Sequence, residues 1–347
     1  MAGYNTIRGL RVKYLSSDPA NSEEGQVWYN SFTGNLRLNG YVLSAFSSGG
    51  NRNDGQADGC GAGTLTAGLA FGGGRNPNSP SSGGLATQTQ SEEYNGSSWA
   101  EGGAMSTGRV TFGGFGTQTA ALAFGGRTTN NPFTYTNATE EYGGTSWTSG
   151  GNLGSTSYYM SRSGGGIETA GVMVGGVNNI PGTANEKQTE EYNGSSWTTV
   201  NNMLANSRRT VYLGTQTAGL IASGGPPAPG NNSAYNYDGT NWTAAGVTTV
   251  NTLSGRNGIG TASSGLLISG TVPMTTGQNS ELWNGTVFAN DAVTATQRDS
   301  GQSSSASTIS SGYVTGGNNP TTPGTALTST EEYTATFNAA QTLTTST

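Results

Sequence analysis

The sequence predicts an all-β fold built from six repeated units of four short strands, and three observations carry that prediction. One motif ending in an aromatic residue recurs six times. A second, apolar motif precedes each copy. The 347-residue chain also holds 58 glycines and only 10% charged residues, where an ordinary globular protein has roughly 25% charged residues. With 30 aromatic residues (Tyr 15, Phe 9, Trp 6) and a net charge of only −6, this composition describes a folded chain rich in turns, not a disordered one. No sustained G-x-y period is present, which excludes collagen.

The second motif reads TAGLAFGG (66–73), TAALAFGG (119–126), TAGVMVGG (169–176), TAGLIASGG (217–225), SSGLLISGT (263–271) and SSGYVTGG (310–317). Leu69 and Phe71 fall on one side with Ala70 on the other, as do Leu122/Phe124 with Ala123. Period-2 apolarity on both sides reads as a strand buried on both faces. The glycine pair that follows permits positive φ or close packing at the strand end. The first strand of each unit falls in segments such as 108–116 (GRVTFGGFG) and 254–260 (SGRNGIG), where small residues suit a crowded centre.

The aromatic motif is SEEYNGSSW (91–99), TEEYGGTSW (139–147), TEEYNGSSW (189–197), AYNYDGTNW (234–242), SELWNGTVF (280–288) and STEEYTATF (329–337). Asn95-Gly96, Gly143-Gly144, Asn193-Gly194, Asp238-Gly239 and Asn284-Gly285 are hairpin turn pairs, and Thr334-Ala335 is a weaker one. The sequons at Asn95, Asn193 and Asn284 coincide with these turns and are read as turns. The closing aromatics recur every 45–50 residues, the period of a propeller blade. The expected packing wedges between blades are Tyr94 and Trp99, Tyr142 and Trp147, Tyr192 and Trp197, Tyr237 and Trp242, Trp283 and Phe288, and Tyr333 and Phe337.

A glycine doublet after an apolar strand, followed by Tyr and Trp at fixed offsets, resembles the kelch repeat family. The likeness covers roughly residues 50–347, with a Tyr-to-Trp spacing shorter than the usual kelch separation. It implies a six-bladed kelch-like β-propeller over residues 48–347, preceded by a small β-hairpin extension in residues 1–47. The copper oxidases that share kelch-type propellers use His/Tyr/Cys constellations, which a chain without histidine cannot supply.

Residues 1–47 carry no repeat. Gly25–Tyr29 and Asn35–Leu38 flank a turn and read as a hairpin, which is marginal on its own. The phrase EEGQVWYNSFTGNLRLNG (23–40) resembles a short attachment module of tailed-bacteriophage tail fibre and appendage proteins. That resemblance implies a structural virion protein located in a tail or surface appendage. Residues 1–47 would join other virion proteins in a multi-copy assembly, with Trp28 and Tyr29 as candidate anchors, and the propeller would face a host-surface glycan or protein. The alternative is a non-viral extracellular carbohydrate- or protein-binding kelch-like module at a cell surface.

Charge and residue usage exclude other classes. Zero histidines and a single cysteine, Cys60, remove histidine-based acid–base chemistry, Ser-His-Asp and Cys-His nucleophiles and internal disulfides. The expectation is a protein that is not an enzyme and holds no cofactor or metal, with no D-x-D-x-D-G calcium loop. A weakly acidic chain with two lysines, Lys13 and Lys187, and no basic run is a poor partner for nucleic acid. No apolar stretch approaches 18 residues, so no membrane insertion is expected, and the N-terminal segment lacks signal-peptide features.

Arg109, Arg162, Arg208, Arg256 and Arg298 recur once per unit and form a candidate binding ring, weighed against hydrogen bonding to loop carbonyls. The Glu-Glu pairs at 92–93, 140–141, 190–191 and 331–332, with Glu281, read as edge charges against aggregation. Pro-stiffened loops at 75–84, 226–232 and 318–324 form the expected recognition rim.

Overall fold

The computed structural model describes residues 12–19, 26–42, 44–75, 86–130, 132–158, 164–178, 187–207, 209–222, 232–249, 255–270, 278–305, 307–319, 326–335 and 337–342. All regular structure among them is β. By contacts the chain divides into two units, Met1–Ala45 with Ala335–Thr347, and Phe46–Thr334.

Within the larger unit, five four-stranded sheets run in simple antiparallel order along the chain. The first comprises Cys60–Thr64, Ala67–Phe71, Ser91–Tyr94 and Trp99–Glu101. The second comprises Gly113–Gly116, Ala121–Phe124, Thr139–Tyr142 and Trp147–Ser149. The third comprises Gly164–Ile167, Ala170–Val174, Thr189–Tyr192 and Trp197–Thr199. Val211–Thr215, Ala218–Ala222, Ser233–Tyr237 and Trp242–Val247 make the fourth. Asn257–Gly260, Gly265–Ile268, Ser280–Trp283 and Phe288–Asn290 make the fifth.

A sixth sheet departs from this plan. Gln302–Ser303, Ser311–Thr315 and Thr330–Thr334 supply three strands, and the fourth is Ala45–Ser48, which arrives from the other end of the chain. The expected division at residue 47 falls inside this strand. The reason lies in the motif itself: Thr334-Ala335 is a poor turn pair, so the chain does not fold back into a hairpin there. Phe337–Thr342 pairs instead with Asn35–Val42, placing Phe337 opposite Val42. Phe337 is therefore not the outer-strand aromatic of the sixth sheet, and Phe46, at 5.1 Å from the Tyr333 ring, stands there instead.

The second strands carry the core. Ala121, Leu122, Ala123 and Phe124 are all buried, because apolar layers cover both faces of the strand. First strands lie side by side in chain order, and Gln302–Ser303 lies beside Cys60–Thr64. The expected small residues crowd this region, with Phe115 and Ile259 among them, and the largest departure is the fourth sheet, which places Val211, Tyr212 and Leu213 there. Its neighbours make room. A Cβ on Gly165 would collide with the Tyr212 ring, and one on Gly258 with Val211.

The smaller unit holds one sheet in the order Lys13–Leu15, Val27–Asn30, Asn35–Val42 and Phe337–Thr342. The first pair is parallel and the others antiparallel. The expected hairpin is there, with Val27 opposite Leu38 and Tyr29 opposite Leu36.

Candidate interaction surfaces and the network between sheets

The arginines are not offered to solvent. Arg109, Arg256 and Arg298 are fully buried and pair with Glu140, Glu281 and Glu331 on the third strands of their own sheets. Arg52, which sequence reasoning passed over, pairs with Glu92 in the same way, at 2.9 Å. These guanidinium groups also donate to carbonyls: Arg109 to Gly125 and Ala138, Arg298 to Gly316 and Ser329, and Arg256 to Ser269. A ring facing a ligand is thus not formed by these three residues, because each guanidinium is spent on a buried carboxylate and on backbone. Arg162 and Arg208 lie outside the described residues. Burial lowers the basicity of Arg52, Arg109, Arg256 and Arg298, and the facing glutamate offsets this.

The first glutamates and Glu281 are correspondingly internal rather than edge charges, and the second glutamates are half-buried. The first of each Glu pair is buried, and where it meets no described arginine, at Glu190, it accepts from the Gly154 N–H at 2.9 Å. Burial then pushes the Glu190 carboxyl above its ordinary range. The second glutamate faces the following sheet. Tyr142 donates its hydroxyl to Glu93 at 2.7 Å, Tyr192 to Glu141, and Tyr237 to Glu191 at 2.7 Å. Tyr94 of the first sheet donates to Glu332 of the sixth.

The tryptophans repeat this connection. Trp147 donates to the Ser91 hydroxyl at 3.0 Å, Trp197 to Thr139 at 2.9 Å and Trp242 to Thr189 at 3.2 Å. Trp99 donates to Thr330 at 2.9 Å. Tyr and Trp of one hairpin also touch, with ring centroids 4.7 Å apart for Tyr94 and Trp99. Trp283 differs, donating to the Ala262 carbonyl of its own sheet, and Phe288 has no donor to give. Tyr333 donates to Asp291. Apart from Phe288, which packs without a hydrogen bond, and Phe337, which joins the other sheet, the expected wedges are accordingly buried or partly buried packing elements that also carry directed hydrogen bonds, a role that residue type alone did not reveal.

Cys60 is buried, and its thiol donates to the Phe112 carbonyl at 3.3 Å. The Pro-rich loops fall almost wholly outside the described residues, with 76–85, 223–231 and 320–325 undescribed.

The smaller unit presents a different surface. Adjacent residues of a strand face opposite ways, so Trp28 and Tyr29 have separate fates. Trp28 is buried between its strand partners Lys13 and Arg37, and its indole donates to Asp18 at 2.9 Å. Asn30 and Arg37 also donate to Asp18, and these bonds hold its carboxyl below the ordinary range. Trp28 is therefore no exposed anchor: its polar edge and its ring are both satisfied within the chain.

The opposite face is open. Tyr14, Tyr29 and Leu36 stand in one row across three strands, with the Tyr14 and Tyr29 rings 4.9 Å apart. Tyr29 is half-buried, whereas Tyr14 is 76% exposed, and Phe32 in the hairpin turn is 87% exposed. From sequence, Tyr14 counts among the apolar residues that so small a segment cannot bury alone, and Phe32 is read only as part of the turn. Strand alternation running from Tyr29 to Leu36 was the available signal, but the parallel pairing of Lys13–Leu15 has no local signature.

No family model matches the chain, and no curated protein matches it. Among solved structures, that of YjhT superposes with a TM-score of 0.63 over 81% of this chain and 95% of its own, at 13% identity. At that identity the likeness concerns the fold alone, and it agrees with an all-β, propeller-like architecture of four-stranded antiparallel sheets.

Proposed function

We propose that the chain is a non-enzymatic structural protein of a tailed-bacteriophage particle, in which a closed six-bladed kelch-like β-propeller is carried by an N-terminal attachment unit. The first strands support closure through their side-by-side order, and so do the Trp99–Thr330 and Tyr94–Glu332 bonds between first and sixth sheets. The observation that carries the functional reading is the division of labour between the two units. The repeat region spends its arginines, glutamates, tyrosines and tryptophans on internal bonds, while the small sheet leaves Tyr14 and Phe32 exposed. Large exposed aromatics on a small sheet suit burial against another virion protein. The propeller is then free to face a host-surface glycan or protein, and many copies on one particle would compensate for weak single contacts.

The test is a Tyr14→Ser, Phe32→Ser double variant supplied in place of the wild-type protein during particle production. Both side chains are exposed, so the purified variant should keep the wild-type melting temperature, as surface substitutions generally do. Peptide mass spectrometry of purified particles should find the wild-type protein and not the variant. Absence of the wild-type protein from particles sinks the virion reading, and full incorporation of the variant sinks the assignment of this face.

A further inference from the structure

The turns between first and second strands carry a second kind of connection between sheets, and one of them is chemically odd. Near the ends of the first strands of the second, third and fourth sheets stand Gly116, Gly166 and Gly214, with φ of 124°, 112° and 112°. Their registers agree, with Gly116 opposite Ala121, Gly166 opposite Gly171 and Gly214 opposite Gly219. Two residues after each glycine the turn begins, with Gln118, Glu168 and Gln216, and a threonine follows in every case.

The two glutamines make the same pair of bonds. Gln118 Nε2 donates to the Gly68 and Tyr94 carbonyls of the first sheet at 3.0 and 3.1 Å. Gln216 Nε2 donates to the Gly171 and Tyr192 carbonyls of the third sheet at 3.0 and 3.1 Å. Gly68 stands opposite Tyr94 and Gly171 opposite Tyr192, so each amide ties its turn to two strands of the preceding sheet at once. The equivalent couple in the second sheet is Ala121 opposite Tyr142, and the residue at the matching turn position is Glu168.

An ionised carboxylate cannot replace that amide. It only accepts hydrogen bonds, as the two carbonyls do, whereas a protonated carboxyl has one O–H to donate. Glu168 is half-buried and lies near Glu141 of the second sheet. Burial first, and then the charge of Glu141, hold the Glu168 carboxyl above its ordinary range. Tyr192, whose hydroxyl is donated to Glu141, is the other titratable group facing Glu168 among the described residues. Leu65 and Ala262 occupy this turn position in the first and fifth sheets, and neither side chain titrates.

We propose that Glu168 is a proton-operated fastener of the seam between the second and third sheets. Protonated, it donates to the Ala121 or Tyr142 carbonyl, as Gln118 and Gln216 donate to theirs. Ionised, it sets a negative charge against those carbonyls and against Glu141. The folded chain thus keeps a proton that the unfolded chain releases above pH 4.5. Stability from this group is complete below that pH, falls as pH rises through the raised value, and is level beyond it.

The experiment compares thermal unfolding of the full chain from about pH 4 to 8 for wild type, Glu168→Gln, Glu168→Ala and Gln118→Glu. At pH 8 Glu168→Gln should unfold about 2 °C above wild type, the shift for a recovered hydrogen bond in a chain of this size. By pH 4 that difference should vanish. Glu168→Ala relieves the repulsion by Glu141 without supplying a donor. It should therefore unfold below Glu168→Gln throughout and below wild type at pH 4. Gln118→Glu should bring the same acid-favoured profile to the first seam, and it decides the matter if the Glu168 variants do not fold. Glu190, which burial also holds above its ordinary range, is present in every protein and cancels in the differences. A Glu168→Gln difference that does not change with pH overturns the proposal. So does a Glu168→Ala profile equal to that of Glu168→Gln, which would leave charge repulsion as the whole effect.

Discussion

The seam between the first and second sheets and the seam between the fourth and fifth are built from equivalent strands by different means. In the first, Tyr142 reaches Glu93 and Trp147 reaches Ser91, while the pair Arg109–Glu140 lies within the second sheet as Arg256–Glu281 lies within the fifth. In the other, Trp283 turns back to its own sheet, Phe288 offers no donor, and Ala234 occupies the third-strand position that holds Ser91 in the first sheet. Apolar packing takes over there: Val211, Leu213, Leu220, Ala222, Ala234, Leu267, Trp283 and Phe288 form one buried cluster. The comparison teaches that the architecture needs a filled seam but not a polar one. Buried ion pairs contribute little net stability beside well-packed apolar residues, yet breaking one of them is costly.

Three outcomes would break or sharpen that comparison. The largest effect belongs to Arg109→Ala, which leaves Glu140 buried without its guanidinium. It should cost about 3–5 kcal/mol in denaturant unfolding. The Arg109→Met, Glu140→Leu double variant should recover most of the loss. A double variant as weak as the single one would mean that the pair is not interchangeable with an apolar seam.

A smaller effect follows from Tyr142→Phe, which removes the hydroxyl donated to Glu93 and also an acceptor for the Gly103 N–H at 3.3 Å. The expected loss is about 1.5–3 kcal/mol, the range for a hydrogen bond to a charged group. Trp283→Phe, with a neutral carbonyl as its partner, should lose less hydrogen-bond energy, about 0.5–1.5 kcal/mol, plus its lost ring area. Equal hydrogen-bond losses in the two seams would erase the distinction drawn between them.

The subtlest effect is alkaline. Burial first, and then the bond to a facing glutamate, push the Tyr94, Tyr142 and Tyr192 hydroxyls from 10.0 up to about 12. Between those values the unfolded chain releases protons that the folded chain keeps. Their stabilising contribution is therefore complete below pH 10 and is lost as pH rises toward 12. Unfolding free energy measured from pH 8 to 12 should stay flat up to about 10 and then fall. A Tyr142→Phe, Tyr192→Phe variant should fall less steeply, and identical slopes would remove these residues from the titration.

Much of the repeat region was legible from residues alone, because its signals are local. Apolar alternation in TAALAFGG marks a doubly buried strand, and Asn95-Gly96 marks a turn, whose Asn95 side chain accepts from the Ser97 and Ser98 N–H groups. Trp99 and Tyr94 could be read as packing wedges because each recurs once per repeat. The partners of those wedges could not. Glu93 looks the same in sequence whether it edges a sheet or accepts from Tyr142 of the next one. The arginines hid their role further by reaching equivalent glutamates from different places: Arg109 and Arg298 two residues before a left-handed residue, Arg52 six before, and Arg256 next to its strand.

The sequence by itself determined the all-β character, the four-stranded unit and the positions of its turns, since strand period, glycine pairs and turn chemistry act over a few residues. Tertiary structure alone decided that Ala45–Ser48 completes the sixth sheet, that Phe337 leaves it to pair with Val42, and that Trp28 is buried while Tyr14 is exposed. The physical reason is common to all three. A strand edge is satisfied by whichever backbone reaches it, and nothing in the pattern of a short strand records how far away along the chain its partner lies.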